Sequence, residues 1–545
     1  MLIESKARSL LRARPQGYPT LGAVGLTKAD NASLRRRGHA GPNDGGGGGG
    51  GAWRDSFSKL QEGAATALGS IAILALAGYS YHWYYKSLVL SKMENAFAPG
   101  FSTLERAALG RQAADKAVED ADWIPRTEQA TINGIVDGTT QGHYYLVTGE
   151  KGTGKTSMIL KAMSRIKGDG IAMLEAHGDL EIFRIRLGKA LDYEFHEDYI
   201  GGLFSFKGPR DTTPLLDIER AFNQMEKIAL KRQREVGRPL VLIINGTHLL
   251  RDGDGKAEAG RHLLELLQQR AELWATSKLV TVVLNSDEHW TTERLLRQAT
   301  RLQVVPVRDI EKATAIESVR RFRAKAFHED VSTEVLERVY SRIGGRLRFL
   351  SHVAKSPDML RTCDSICEKE RLWLLDQCWI LGKEMDPGAE EHQDICASAM
   401  ILAKALIARE REAMARDGAA YDDGRLPQIP LHEARELVTN AEFLKALDHI
   451  NIVTIDSHSM VQADSVAMQN AFRAVCAQPG FDEHLQETID RLDELESLAR
   501  TRELTVKDLW GDKGFRAVVQ ARDGDARKDV VVSITGFESE PKEEA

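Results

Sequence analysis

The residues best suited to chemistry form one run of eight: Gly149, Glu150, Lys151, Gly152, Thr153, Gly154, Lys155 and Thr156. A bound phosphate needs many hydrogen-bond donors close by and little steric bulk. Gly149, Gly152 and Gly154 let the backbone curl so that its N–H groups face inward as an anion-binding nest. A helix expected to start near Lys155 adds the positive end of its dipole. Lys155 brings a cation to the β- and γ-phosphates of a nucleotide, and the Thr156 hydroxyl is a ligand for Mg2+. The run reads glycine, four residues, then Gly-Lys-Thr, which is the P-loop pattern. ATP, or a close nucleotide relative, with Mg2+ is the expected ligand.

The elements around the run fit that use. An apolar stretch, Tyr144–Val147, precedes it, and the helically spaced Ser157–Ile166 follows. From Trp123 to about Val307, strand-like and helix-like stretches alternate. The expected strands are Tyr144–Val147, Gly170–Leu174, Leu240–Ile244, Leu279–Leu284 and Leu302–Val307. Helical runs lie between them, such as Arg261–Ser277 with Leu263, Leu264, Leu266 and Leu267. Such alternation predicts an α/β fold in which helices flank a parallel sheet. Residues 309–355 read as a few helices. Residues 356–480 are helical again and include a hairpin-like pair, Asn451–Asp456 and Met460–Ala463, around Ser457-His458-Ser459.

Four further segments resemble origin-recognition-type and STAND-type AAA+ ATPases over roughly residues 120–355. Trp123-Ile124-Pro125-Arg126-Thr127-Glu128 resembles the segment that walls the adenine pocket in that family, which implies that Arg126 borders the nucleotide. Leu279–Leu284 ends in Asn285, where the family places a polar sensor of the γ-phosphate. Arg297 or Arg301 lies where oligomeric members carry an arginine finger. Gly344-Gly345-Arg346-Leu347-Arg348-Phe349-Leu350 is similar to the lid signature, with Arg348 in the place of the second sensor. The helices and hairpin that follow resemble a winged-helix domain, an order shared with fungal membrane-anchored mitochondrial AAA proteins.

One departure concerns hydrolysis. The family's second acidic motif is an apolar strand ending in Asp. Here Leu240–Ile244 runs into Asn245-Gly246-Thr247-His248, an amide where the acid that holds the Mg2+ shell is expected. Asp252 and Asp254 follow in a glycine-containing loop. An alternative places the motif at Leu284-Asn285-Ser286-Asp287-Glu288 and leaves no strand for the sensor. Asn245 is the preferred position. Binding without fast turnover is the resulting expectation, with Lys155, Thr156, Asn245, Asn285 and Arg348 as the residues that read or act on the γ-phosphate.

The ends of the chain carry addressing rather than catalytic signals. Residues 1–40 hold eight Lys or Arg (Lys6, Arg8, Arg12, Arg14, Lys28, Arg35, Arg36 and Arg37) against Glu4 and Asp30. With Leu2, Ile3, Leu10 and Leu11 between the charges, this resembles a mitochondrial presequence. Gly45–Gly51 is a flexible linker by composition. Gly63–Tyr85 is 23 residues without Asp, Glu, Lys or Arg, with Tyr79, Tyr81, Trp83, Tyr84 and Tyr85 gathered at one end. That length and aromatic belt predict one transmembrane helix; a buried soluble helix is the competing reading. A mitochondrial inner-membrane location follows as an expectation.

The expected domains are a basic segment and linker at 1–60, a span at 63–86, a connector at 87–120 and an ATPase core at 121–308. After these come a lid at 309–355, a winged-helix-like domain at 356–480, and a helix with an acidic tail at 481–545. The five cysteines, Cys363, Cys367, Cys378, Cys396 and Cys476, have no zinc-type spacing. A net charge of −7 does not suggest a whole-chain nucleic-acid binder, so any such function must be a local patch. The third helix of the winged-helix region, Asn440–His449, sets Glu442 and Asp448 against Lys445, a poor match to phosphates. A protein partner or a homo-oligomer is therefore preferred to DNA. A non-hydrolysing ATP-binding scaffold remains the other reading.

Overall fold

The computed structural model describes residues 51–100, 124–195, 213–251, 257–382, 390–418, 424–438, 440–509, 515–523 and 526–534. For 51–64, 257, 258, 390, 417 and everything after 497 it describes the backbone alone. The basic head, the glycine linker, Asp252 and Asp254, and the acidic tail lie outside the described residues. The chain divides into two compact units, Met1–Leu76 and Ala77–Ala545.

The segment expected to span a membrane is helical. It belongs to a longer helix, α1 (Gly51–Ala96). Leu68, Ile71, Ile73, Leu74 and Leu76 on it are each 59–69% exposed. Among the described residues, no helix is long and apolar enough to cross a membrane.

The second unit contains a five-stranded parallel sheet: β1 (Tyr144–Thr148), β2 (Ile171–Glu175), β3 (Leu240–Asn245), β4 (Val280–Ser286) and β5 (Leu302–Pro306). The spatial order is β2-β3-β4-β1-β5. Every residue of β1, β3 and β4 is buried, as in a sheet covered on both faces. The two faces still alternate. Leu146, Leu242, Ile244 and Leu284 pack with Phe183, Phe222 and Trp274. Those three come from α4 (Leu180–Leu191), α5 (Pro214–Glu235) and α6 (Ala257–Ser277). On the other face, Tyr145, Val147, Val241, Ile243 and Val283 pack with Ile132, Ile135, Ile159 and Met163. These belong to α2 (Glu128–Val136) and α3 (Lys155–Arg165). The short helix α7 (His289–Leu296) leads from β4 toward β5.

A helical lid follows: α8 (Lys312–Phe327), α9 (Thr333–Ile343) and α10 (Leu347–Lys355), packed with α11 (Met359–Cys378). Leu336, Val339, Tyr340 and Ile343 give α9 an i, i+3, i+4, i+7 stripe that faces this cluster. The next core is built from α12 (Glu390–Asp417), α13 (Leu431–Val438), α14 (Ala441–His449) and α15 (Val466–Cys476). A three-stranded sheet of β6 (Ile429–Pro430), β8 (Met460–Ala463) and β7 (Val453–Ile455) completes a winged-helix arrangement. α16 (Phe481–Leu509) and an antiparallel hairpin, β9 (Phe515–Asp523) with β10 (Ala526–Ile534), close the described chain. That hairpin and β6 were not expected from the sequence. The five cysteines are free thiols.

Candidate functional site

The site grows from the carboxyl end of β1, in the middle of the sheet. β1 is a strand because Tyr144, Tyr145, Leu146 and Val147 satisfy both apolar faces at once. At Thr148 the strand stops and the chain must turn without side-chain bulk. Gly149 has φ 149°, and a Cβ there would stand 2.2 Å from the Val307 carbonyl oxygen. Gly152 and Gly154, at φ 91° and 100°, leave room on the lid side. A Cβ on either would meet Arg348 Cβ at 2.9 Å or Leu347 Cδ2 at 2.8 Å. α3 then begins at Lys155, so its N-terminus points at the cradle.

Lys155 is 4% exposed and has three acceptors for its three N–H donors. Nζ donates to the carbonyl oxygens of Gly149 and Glu150, each at 2.8 Å, and meets Asp287 Oδ1 at 2.9 Å. Arg126 braces the loop from outside. Its Nη1 donates to Thr153 O at 2.6 Å and its Nη2 to Arg308 O. Thr153 Oγ1 donates to Glu150 O at 2.9 Å.

Next to α3 stand the two asparagines. Register pairs Asn245 of β3 with Asn285 of β4, and Asn285 in turn with Val147 of β1. Both strands therefore deliver their last residues to one place. Asn285 Nδ2 donates to Thr156 Oγ1 and to Asn245 Oδ1, each at 3.2 Å. Asn285 Oδ1 is buried without a hydrogen-bond partner. Mg2+ takes hard oxygen ligands. The Thr156 hydroxyl and the orphaned Asn285 oxygen suit it, while the carboxylate that usually completes such a set is missing from β3. Because β4 lies between β1 and β3, Asn285 stands against Thr156 at the start of α3, and Asn245 stands behind it.

The lid's two arginines have different places. The Arg348 backbone N–H donates to Gly152 O at 3.1 Å, and its side chain is exposed beside the loop. Arg346 is the buried one, at 2% exposure. Its Nε donates to Asp309 Oδ1 at 2.8 Å and its Nη1 to Lys151 O at 3.0 Å and Asp464 Oδ2 at 3.1 Å. Its Nη2 donates to Asp464 O. Burial alone would lower the Arg346 pKa, but Asp309, Asp464 and Glu150 outweigh it and raise it.

Glu150 is also buried, and desolvation pushes its carboxyl up to about 7. Its Oε1 accepts from Gln462 Nε2 of β8 at 3.3 Å. P-loop, lid and winged helix thus share one buried polar cluster. Sequence patterning gave no sign of Asp309, Asp464 or Gln462, because each is an isolated polar residue, 37, 118 and 312 residues from its partner in Arg346, Arg346 and Glu150 respectively.

The winged helix also touches the ATPase core through α14. His289 N donates to Asp448 Oδ2 at 3.0 Å, His449 Nδ1 lies 3.1 Å from Glu288 Oε1, and Lys445 Nζ lies 3.5 Å from Glu293 Oε2. Burial raises the Asp448 carboxyl to about 8. Arg297 and Arg301 are exposed. Arg297 pairs with Glu293 at 2.9 Å, and Arg301 donates to Gly142 O at 3.4 Å. Tyr144 N bonds to Arg301 O, which places Arg301 at the sheet edge opposite the P-loop.

Residues 123–283 match the family model of the AAA ATPase domain. Residues 376–496 match that of the C-terminal winged helix domain of fungal AAA proteins. No curated protein matches the chain. Among solved structures, the chain is similar to the Walker-type ATPase PABY2304 of Pyrococcus abyssi, at 13% identity and TM-score 0.43, over 65% of this chain and 97% of that one. It is also similar to the ORC2 protein of Aeropyrum pernix, at 12% identity and TM-score 0.35, over 70% and 99% of the two chains. The AMPPCP-bound DnaA of Aquifex aeolicus is similar at 13% identity and TM-score 0.29, over 55% and 86%.

Proposed function

We propose that this chain, an AAA ATPase domain joined to the winged-helix domain of fungal AAA proteins, is an ATP-binding switch that turns over slowly and acts on a protein partner. The observation that carries the reading is the Asn245–Asn285 amide pair at the ends of β3 and β4, beside an intact P-loop. The loop amides, Lys155 and Thr156 suffice to hold Mg·ATP. A neutral amide pair neither anchors the metal shell as a carboxylate does nor takes a proton from water. Bound ATP would then last long enough for the lid, which reaches the loop through Arg348, to report it. The test is steady-state phosphate release from the full chain over a concentration series, with Lys155→Ala as the blank. Turnover should lie below the ~1 s⁻¹ lower end of typical enzymes. Several turnovers per second that vanish in the blank would refute the slow switch. A rate that climbs with concentration would assign Arg297 or Arg301 to a neighbouring subunit's site.

A winged helix also suggests DNA, but α14, the helix that would enter a groove, is packed on α7 through Asp448, His449 and Lys445. That placement favours protein interaction.

The same proposal includes attachment to the mitochondrial inner membrane through α1. Support comes from the basic residues 1–40 and from the exposed Leu68, Ile71, Ile73, Leu74 and Leu76. The full chain should stay in the pellet after carbonate extraction of mitochondria. Paired Leu74→Lys and Leu76→Lys changes should release it, at about 2.5–3.5 kcal/mol per charge at a bilayer centre. Release of the unmodified protein would remove the anchor from the reading.

A further inference from the structure

The carboxylate that β3 lacks is present on the next strand's exit. The geometry points to Asp287 as a catalytic residue that holds Lys155 until nucleotide arrives and then orients the water that attacks the γ-phosphate. This rests on the nucleotide-binding reading above. Asp287 Oδ1 is 2.9 Å from Lys155 Nζ, the atom expected to meet the β- and γ-phosphates. Its side chain is 27% exposed, so solvent reaches it.

The end of β3 and the segment that follows it brace the Asn285–Asp287 stretch at three points, two on Asn285 and one on the Asp287 backbone. Asn245 Oδ1 accepts from Asn285 Nδ2 at 3.2 Å. Thr247 Oγ1 donates to Asn285 O at 3.0 Å. His248 Nδ1 accepts from the Asp287 backbone N–H at 3.3 Å. The residues standing where an acid is expected therefore serve as a scaffold for Asp287.

Two further observations separate Asp287 from its neighbour. Glu288 is committed elsewhere, to His449 at 3.1 Å and Arg251 at 3.9 Å. Asp287, by contrast, lines a cavity of about 20 Å³ together with Thr148, Gly149, Glu150 and the β7–β8 turn at Asp456 and Ser457. That volume accommodates one water molecule.

The step balances as a hydrolysis. The water oxygen bonds to the γ-phosphorus, and the bond from that phosphorus to the β–γ bridging oxygen breaks. ADP leaves with that bond's electron pair. The water proton passes to the Asp287 carboxylate and on to solvent. Before this, the γ-phosphate must replace Asp287 on Lys155, so the ion pair reduces apparent affinity by the fraction of sites it occupies.

Titration calorimetry and phosphate release on the full chain, for wild type, Asp287→Asn, Asp287→Glu and Lys155→Ala, test this. Asp287→Asn should bind Mg·ATP roughly 3- to 10-fold more tightly, because Lys155 is no longer held. Its turnover should fall about 100-fold, the scale of a lost general base. Wild-type turnover in Asp287→Asn, or unchanged affinity, overturns the assignment while leaving nucleotide binding intact. Tight binding without hydrolysis by any form overturns it as well. If wild type binds no better than Lys155→Ala, the nucleotide reading fails and this inference fails with it.

Discussion

Replacing Lys155 with alanine is expected to weaken Mg·ATP binding by ~2–4 kcal/mol, the scale for loss of a charge-assisted contact in a shielded site. This corresponds to roughly 30- to 1,000-fold in dissociation constant. Two effects add. The phosphates lose the buried cation of the loop, since Lys155 is 4% exposed and held by Gly149 O and Glu150 O. Asp287 is also left without its partner, facing the incoming negative charge. The fold should persist, because the two apolar clusters that cover the sheet are left intact. Titration calorimetry on the full chain measures the effect, and equal affinity for both forms would sink the P-loop assignment.

Arg346→Met is expected to destabilise the unit that carries it by about 3–5 kcal/mol, the usual result of removing one partner from a buried ion cluster. Methionine keeps much of the aliphatic volume, so the loss isolates the charge. Asp309, Asp464 and Glu150 would remain around a guanidinium-shaped gap, and Lys151 O and Asp464 O would lose their donor. The pH dependence has a definite sign. The Glu150 carboxyl lies near 7 in the folded protein, above its ordinary 4.5. A raised carboxyl pKa means the folded state holds the proton longer than the unfolded chain does. Its stabilising effect is therefore full below about 4.5 and is lost as pH rises through 7. Arg346 lowers the Glu150 and Asp464 carboxyls, so without it both rise further, and the variant should lose stability more steeply and to higher pH than wild type. Urea unfolding at pH 6 and pH 8 reads both quantities. A variant within ~0.5 kcal/mol of wild type at both would show that the cluster contributes little.

The ATPase core was largely legible in the sequence. Each of the five strands lies within two residues of where apolar runs placed it, because Val, Ile and Leu stretches of this length have few alternatives between helices. Gly149, Gly152, Gly154 and Lys155 were legible because their spacing encodes a backbone path. The lid was legible as helices, but its arginines were not distinguishable. Arg346 and Arg348 sit two positions apart in one motif, and only the location of Asp309 and Asp464 decides which is buried. Asp287 carried an ambiguous signal, since an acid after an apolar strand fits either of two strands until sheet order is known. Ile429–Pro430 is too short to read as a strand, and Phe515–Ile534 was hidden by its Arg, Lys and Asp residues.

The buried Arg346 cluster also constrains how the protein is made. Its members are spread from Glu150 to Asp464, so the guanidinium at 346 leaves the ribosome 118 residues before the aspartate at 464 that shares it. At about 5–20 residues per second, that interval is roughly 6–24 s. During it, a nearly finished nucleotide-binding module carries an arginine that has Asp309 but not Asp464, and a loop glutamate not yet reached by Gln462. The last third of the chain is thus a late structural component of the first catalytic loop. Translation that stops between the lid and β8 would yield a module containing every phosphate-binding residue and lacking the groups that neutralise its interior, a natural client for chaperones and proteases.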